Sequence, residues 1–456
     1  MKENKLLSGK MSTLVWSLGL PMIISMVLQA LYNIVDTAFV INMDPVLGVK
    51  ANLALTYAFP VQIIMIAVGV GTGVGINALL SRYLGEKDVK GNEKTVGNGI
   101  FLMVVIYLLF LLFGIFGSGP FIAMQTNDQE VIAMGKDYLT IVCTLSLGSI
   151  GFTVYERFLQ SSGKTALSMI GQVSGALTNI VLDYVFIYPL GMGIQGAAYA
   201  TIIGQFVSLL VVMIAHYGFN HEVKNSWKSL IPDWSIIKAI YHIGGGAAIM
   251  QALLSVMMLG VNLILGTSQY SPTLLQGSFG IYYKVQQVPL FACFGLSNAL
   301  ITLVSFTKGS GNKERLKEVY RYGVIASLIV PAIIAIIYEA LASQIATIFG
   351  LASGGAGEDI VRVSTYAIRI ASISYIFMGF SVGMQGILQG LRYSLRPLLI
   401  AFLRLAVFVF PTIYLFTLSP NAEILIWVSF IISEGLTAII TVFLIKGPLK
   451  KSLTSK

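Results

Sequence analysis

The sequence predicts an all-α membrane protein of twelve transmembrane helices, arranged as two parallel six-helix lobes around a central cleft with both termini cytoplasmic. Three observations predict this. Of 456 residues, 56% are hydrophobic and only 11% are charged, under half the charge of an average soluble domain, and mean hydropathy is +0.82. Charge-free runs are long: no residue between Lys94 and Asp128, or between Asp183 and Glu222, carries a charge. Such runs suit helices, which satisfy their own backbone hydrogen bonds in lipid, and not the short alternating strands of a membrane barrel. Finally, the chain repeats itself at a long offset. The composition excludes a soluble globule and a disordered chain.

The first span (14–41) follows MKENKLLSGK and has no small-residue cleavage site at signal-peptide length, so it is read as retained. Spans 2 and 3 (52–80 and 95–117) flank the charged loop GEKDVKGNEK. Spans 4, 5 and 6 are expected at 137–159, 166–188 and 194–217, followed by a polar joint from His216 to Lys238. Spans 7 to 12 are expected at 239–266, 275–306, 319–346, 361–390, 397–418 and 424–445, with KGSGNKERLKE between spans 8 and 9. The N terminus, the even-to-odd loops with the span ends beside them, and the C terminus together hold 23 Lys and Arg, and the opposite loops and span ends hold only Lys50, Lys136 and Arg362. That asymmetry places both termini in the cytoplasm. It also accounts for the net charge of +9 as loops facing anionic lipid, with no nucleic-acid partner.

Val61-Gln62 recurs as Val285-Gln286 and Leu79-Leu80-Ser81 as Leu303-Val304-Ser305, both 224 residues apart; Phe158-Leu159-Gln160 recurs as Ile387-Leu388-Gln389 at 229. The chain therefore divides into an N-lobe (1–228, spans 1–6) and a C-lobe (229–456, spans 7–12). An even number of spans per half gives both halves the same orientation, which suits alternating access. The run GVGTGVG in span 2 lacks the Lys-Ser/Thr and the preceding strand of a phosphate loop and reads as close helix packing. Pro21, Pro60, Pro289 and Pro411 are hinge candidates. Methionines such as Met257, Met258, Met378 and Met384 can line an adaptable cavity or simply pack. Cys143 and Cys293 lie in apolar segments, with no disulfide expected. His216, His221 and His242 fall at loop edges and are expected to be solvated. No hydrolytic triad, HExxH, Walker motif or CxxC is present, so no enzyme activity is expected, and no cofactor beyond a coupling ion.

An ionised side chain at mid-membrane costs about 2.5–3.5 kcal/mol on insertion scales, so each one kept there is a functional candidate. Asp36, Asp183, Glu339 and Glu434 lie inside spans, and Glu156 sits near a span end beside Arg157. Gln29, Tyr32, Asn33 and Asp36 share one helix face by their spacing, as do Gln172, Gly175, Asn179 and Asp183. Both aspartates fall late in spans that start inside, so they can meet at one depth. Two carboxylates in a dry site cannot both ionise cheaply, so the pair can hold a proton. Alternatively it can bind Na⁺, with Asn179 and Thr201 adding oxygens. At the repeat offsets Asp36 corresponds to a position near Val261 and Asp183 to Thr412, which confines the acid pair to the N-lobe. The C-lobe instead carries Lys284 and Arg404 in spans, each able to pair with Glu339 or Glu434, for substrate binding or as structural ion pairs.

At these residues the sequence resembles a known family. LGLPMIISMVLQALYNIVDTAFV (Leu18 to Val40), LLSRYLGEKD (Leu79 to Asp88) and LTNIVLDYVFIYPLGMGIQGAAYATIIGQ (Leu177 to Gln205) are similar to the first span, the loop after span 2, and the fifth and sixth spans of MATE (multidrug and toxic compound extrusion) transporters. The likeness covers nearly the whole chain. It implies an antiporter in a bacterial or archaeal plasma membrane that expels drugs as protons or sodium ions enter. The N-lobe cation site then comprises Asp36, Asn179, Asp183, Thr201 and Tyr138, with span 1 bending near Pro21. Glu156 stands where many members have Asn, which places the chain in the DinF/MepA-like branch. Spans 7 and 10 lack the acids of another branch, which leaves a C-lobe cation site without support.

Together these point to a secondary active exporter of amphipathic, often cationic compounds, working as a monomer. Protons are favoured over sodium because adjacent acids can share one without a full oxygen shell. The alternatives are a lipid-linked precursor flippase of the same superfamily, expected to show a strongly basic cavity, and an exporter of a single metabolite. An embedded enzyme would need a convergent His/Asp/Ser cluster, and none is present.

Overall fold

Span 1 forms α1 (Met11–Ile41), an unbroken helix through Pro21. The computed structural model describes residues 5–44, 47–223, 227–351 and 357–454. Residues 224–226 of the predicted joint, and the counted cations Lys2, Lys224 and Lys456, lie outside them. The following helices are α2 (Leu47–Glu86), α3 (Val89–Phe116), α4 (Gln129–Thr144 and Leu147–Ser161), α5 (Thr165–Ile187) and α6 (Gly193–Phe219). The second half supplies α7 (Trp234–Gly266), α8 (Pro272–Gly309), α9 (Lys313–Ala340), α10 (Glu358–Ser372 and Ser374–Gly390), α11 (Leu395–Phe402 and Val409–Thr417) and α12 (Ala422–Thr454). Ten spans qualify as single elements, and α4 and α10 complete the twelve as pairs bent by 41° and 52°. Leu109, Phe116, Leu210, Ile214 and Phe443 are exposed as a lipid-facing surface.

The sharp bends do not fall at the prolines singled out in the sequence. In α4 the Thr144 hydroxyl donates to the Thr140 carbonyl at 2.5 Å; in α10 the hydroxyls of Ser372 and Ser374 donate to the carbonyls of Arg369 (2.8 Å) and Ala371 (2.6 Å). Hydroxyls that take over backbone acceptors bend a helix without proline. Pro411 does mark an irregularity. It offers no N–H to the Val407 carbonyl, and the turn before it, Leu403–Val407, is π-helical.

The internal repeat holds turn by turn. Lys87 (φ 60°) before the Asp88 cap of α3 corresponds, 224 residues on, to Gly311 (φ 70°) before the Asn312 cap of α9. Asp88 accepts from the Gly91 amide and Asn312 from the Arg315 amide, both at 3.0 Å. At offset 229, Gly163 (φ 82°) corresponds to Arg392 (φ 68°). Ser81 reaches the Ser161 carbonyl as Ser305 reaches that of Gly390.

By packing, the helices form two compact units. One is Met1–Val27, Gly85–Lys87 and Gly245–Lys456; the other is Leu28–Leu84 and Asp88–Gly244. The first is built on a core of Leu254, Phe279, Tyr282, Tyr375, Trp427 and neighbours, which takes in Met257 and Met378 as packing residues. In it Gly295 of α8 lies against the α1 backbone, where a Cβ would stand 2.6 Å from the Met22 carbonyl. Arg315 Nη2 donates to the carbonyls of Leu6 (2.9 Å) and Gly9 (3.0 Å). In the second unit GVGTGVG is a packing surface. A Cβ at Gly75 would meet the Ile240 carbonyl at 2.1 Å, and one at Gly244 the Gly71 carbonyl at 2.0 Å. His216, expected to be solvated, is instead buried, its ring against Tyr155 and Phe158 and its Nδ1 3.2 Å from Asn220 Nδ2.

Candidate functional site

The site begins with the crossing of α5 and α6. Gly175 and Gly204 have no side chains to hold these helices apart. A Cβ at Gly175 would lie 2.5 Å from the Gly204 carbonyl, and one at Gly204 would lie 2.7 Å from that of Gly175. One turn along α5 from Gly175 comes Asn179, and one further turn brings Asp183, on the same face. The close crossing brings Asn179 Nδ2 to 3.5 Å from Thr201 Oγ1 on α6.

Asp36 of α1 lies directly beside Asp183, and Tyr32 and Tyr138 lie within electrostatic range of both carboxyls. Asp183 and Asn179 are buried, as is Tyr138, which belongs to a core with Val40, Met65, Leu139 and Ile187. Gln62 Nε2 donates to the Tyr138 phenol oxygen at 2.7 Å, which leaves the Tyr138 proton to be donated elsewhere. Asp36 Oδ1, both Asp183 oxygens and Asn179 Oδ1 are buried without a well-formed hydrogen bond, with the Asn179 amide and the Asp36 carboxyl close beside Asp183. Buried acceptors without partners are rare and costly. Lone pairs converging with no donor are met by a proton or a hard cation. Asp, Asn and Thr oxygens fit Na⁺ as well as H⁺, and no group of three His, Cys, Asp or Glu is gathered among the described residues.

Not every candidate joins this cluster. Gln29 is half-buried and Asn33 exposed on α1. Glu156 is buried in the second part of α4, with Arg157 and Gln160 as its neighbours; Arg157 Nη1 donates to Gln160 Oε1 at 2.7 Å. It lies eighteen residues beyond Tyr138, or roughly 27 Å along a helix. Lys284 is half-buried on α8. Arg404 pairs with Glu434 at 3.7 Å, both buried, and Ser433 Oγ donates to the Arg404 carbonyl at 2.8 Å. Glu339 lies exposed at the end of α9, and it is Glu434 that pairs with Arg404. Sequence reasoning missed Gln62. Its signal was an amide inside the apolar run of span 2, at one of the repeat matches.

Twelve spans in two repeated halves, with unpaired carboxyls buried in one of them, define a polytopic membrane transporter. The sequence model of the MatE family matches residues 21–185 and 247–415, and the chain belongs to this family of multi-pass membrane proteins. It is 25% identical to the multidrug export protein MepA of Staphylococcus haemolyticus over 94% of this chain and 91% of that protein. It is 27% identical to the probable multidrug resistance protein NorM of Thermotoga maritima over 85% and 81%. Among solved structures, an outward-facing multidrug resistance MATE family transporter of the MOP superfamily shares the fold with a TM-score of 0.92 at 21% identity, over 100% of this chain and 99% of that one. A MOP superfamily transporter from Pyrococcus furiosus shares it at 0.87 and 22%, with the same coverage.

Proposed function

We propose that this protein is a secondary active multidrug exporter that couples efflux to the inward movement of a proton or a sodium ion at Asp36 and Asp183. One observation carries the reading: two carboxyl groups stand side by side, their oxygens and that of Asn179 buried without well-formed hydrogen bonds to the rest of the protein. The names of the MepA and NorM relatives support drug export. Substrates are amphipathic and often cationic small molecules, and the protein works in a bacterial or archaeal plasma membrane with both termini cytoplasmic.

The chemistry follows from charge. With a proton shared between them, Asp36 and Asp183 carry one negative charge and can remain in contact. When the proton leaves, two like charges face each other in a low-dielectric interior and push α1 and α5 apart. Sodium would be held by Asp36, Asp183, Asn179 and Thr201 and would supply the same compensating charge. In either case the state of the pair biases the position of the late half of α1, and cation binding is thereby linked to substrate release.

The test is drug efflux by reconstituted protein under an imposed pH gradient, then an imposed sodium gradient. Asp36→Asn and Asp183→Asn should each abolish gradient-driven efflux while the protein still folds. Wild-type gradient-driven transport in both variants overturns the assignment.

A further inference from the structure

The two halves differ sharply in how they neutralise one corner. In the first half, Lys164 follows the left-handed turn at Gly163, donates to the Phe219 carbonyl at the end of α6, and pairs with Glu222 at 3.5 Å. In the second half, the equivalent turn at Arg392 leads to Arg396, which donates through Nη1 to the Leu444 carbonyl of α12. No carboxylate follows. From residue 391 onward the only acids are Glu423, which pairs with Arg362, and Glu434, which pairs with Arg404. Arg396, Lys446, Lys450 and Lys451 make no ion pair among the described residues.

This corner is also shaped. The Arg396 guanidinium lies 5.5 Å from the Tyr393 ring centroid and crosses α12 at Gly447, where a Cβ would stand 3.6 Å from Nη1. Lys450 and Lys451 project three and four residues further on, on the Gly447 face. Lys446 folds back over the Phe443 ring at 5.0 Å. Leu395 (77% exposed) and Phe443 (65%) rim the cations. The helix runs 33 residues, about 50 Å, so it outruns a hydrocarbon layer of about 30 Å, and its cations emerge where headgroups lie.

We propose that the corner formed by the α10–α11 turn and the end of α12 binds the phosphate headgroup of an anionic phospholipid. The pinned guanidinium offers its remaining N–H groups to phosphate oxygens. The lysines add positive charge, and the lipid phosphate supplies the negative charge that Glu222 supplies internally in the other half. Leu395 and Phe443 lie against the acyl chains.

Purified protein is titrated with phosphatidylglycerol or phosphatidylcholine in detergent, and bound lipid is counted by native mass spectrometry. Wild type should retain phosphatidylglycerol at least ten-fold better than phosphatidylcholine. Arg396→Gln should lower that retention about ten-fold and Lys450→Gln/Lys451→Gln at least three-fold. Since Arg396 also holds the Leu444 carbonyl, the lysine pair keeps the test valid if Arg396→Gln misfolds. Equal retention of the two lipids, or undiminished phosphatidylglycerol binding in the lysine variant, overturns the proposal. So does displacement of the lipid by equimolar inorganic phosphate, which would reveal a plain anion site.

Discussion

The phenol oxygen of Tyr138 accepts a 2.7 Å hydrogen bond from Gln62, and the phenol lies within electrostatic range of Asp36 and Asp183. The amide thereby fixes which way the phenol proton points. That proton is free for a carboxylate when the pair is unprotonated. Replacing Gln62 by Leu removes the bond, worth about 1 kcal/mol, and lets the hydroxyl turn. Gradient-driven efflux should fall about five-fold while the yield of folded protein is kept. Unchanged efflux in Gln62→Leu detaches α2 from the site.

The α5–α6 crossing allows a stability prediction. A Cβ at Gly204 would meet the Gly175 carbonyl at 2.7 Å and the Asn179 Cβ at 3.0 Å. Gly204→Val must therefore spread the two helices, at about 1–3 kcal/mol of overpacking. It should lower the unfolding temperature in detergent and move Asn179 away from Thr201, so transport falls further than stability alone explains. Gly218 has open space around it, and Gly218→Ala should change neither quantity.

Arg404 and Glu434 make a different prediction. Both are buried and 3.7 Å apart beside a π-helical turn. Removing one partner leaves a bare charge inside the protein, at about 3–5 kcal/mol. Arg404→Met or Glu434→Met alone should sharply reduce folded protein, and the double variant should restore most of it. Equal loss in the single and double variants shows that the pair is not what each charge depends on.

Acid should loosen the connection into α7. Lys94, 2.8 Å away, holds the Asp233 carboxyl well below the usual carboxylate range, helped by the hydroxyl and amide of Ser235. A lowered value means the ionised form favours the folded state above about pH 4 and loses that contribution as the pH drops further. Limited proteolysis ahead of α7 should be slow at pH 7 and faster near pH 3. Asp233→Asn should already be fast at pH 7. A wild-type rate equal at both pH values removes this contact from the account.

Much of the fold was legible because its signals are local. Hydropathy and loop charge mark spans directly, and α3 and α9 each begin one residue after a capping side chain that the sequence displays, Asp88 and Asn312. The late aspartates of spans 1 and 5 were legible because charge in lipid is rare. What escaped depends on contacts between distant segments. The bends of α4 and α10 fall at hydroxyls bonded to backbone carbonyls, but straight stretches of α1, α3, α5 and α12 carry the same bonds, so the pattern alone does not mark a bend. Burial of His216 depends on aromatic rings of α4. Arg404 had two acids to choose from, and only the packing of α11 against α12 selects Glu434. Gln62 and Tyr138 are separated by 76 residues, and neither has a pattern that announces the other.

The shift of the repeat from 224 to 229 has a consequence of its own. α3 and α9 both span 28 residues and correspond end to end at the shorter offset, while the starts of α4 and α10, Gln129 and Glu358, already correspond at the longer one. The main drift in length between the two halves therefore falls at the connections 117–128 and 341–357. The turns at Lys87 and Gly311, and at Gly163 and Arg392, keep their left-handed φ in both halves. For anyone splicing an epitope, a fluorophore or a fusion partner into this protein, evolution has already tried the third connection of each half and left the left-handed turns alone.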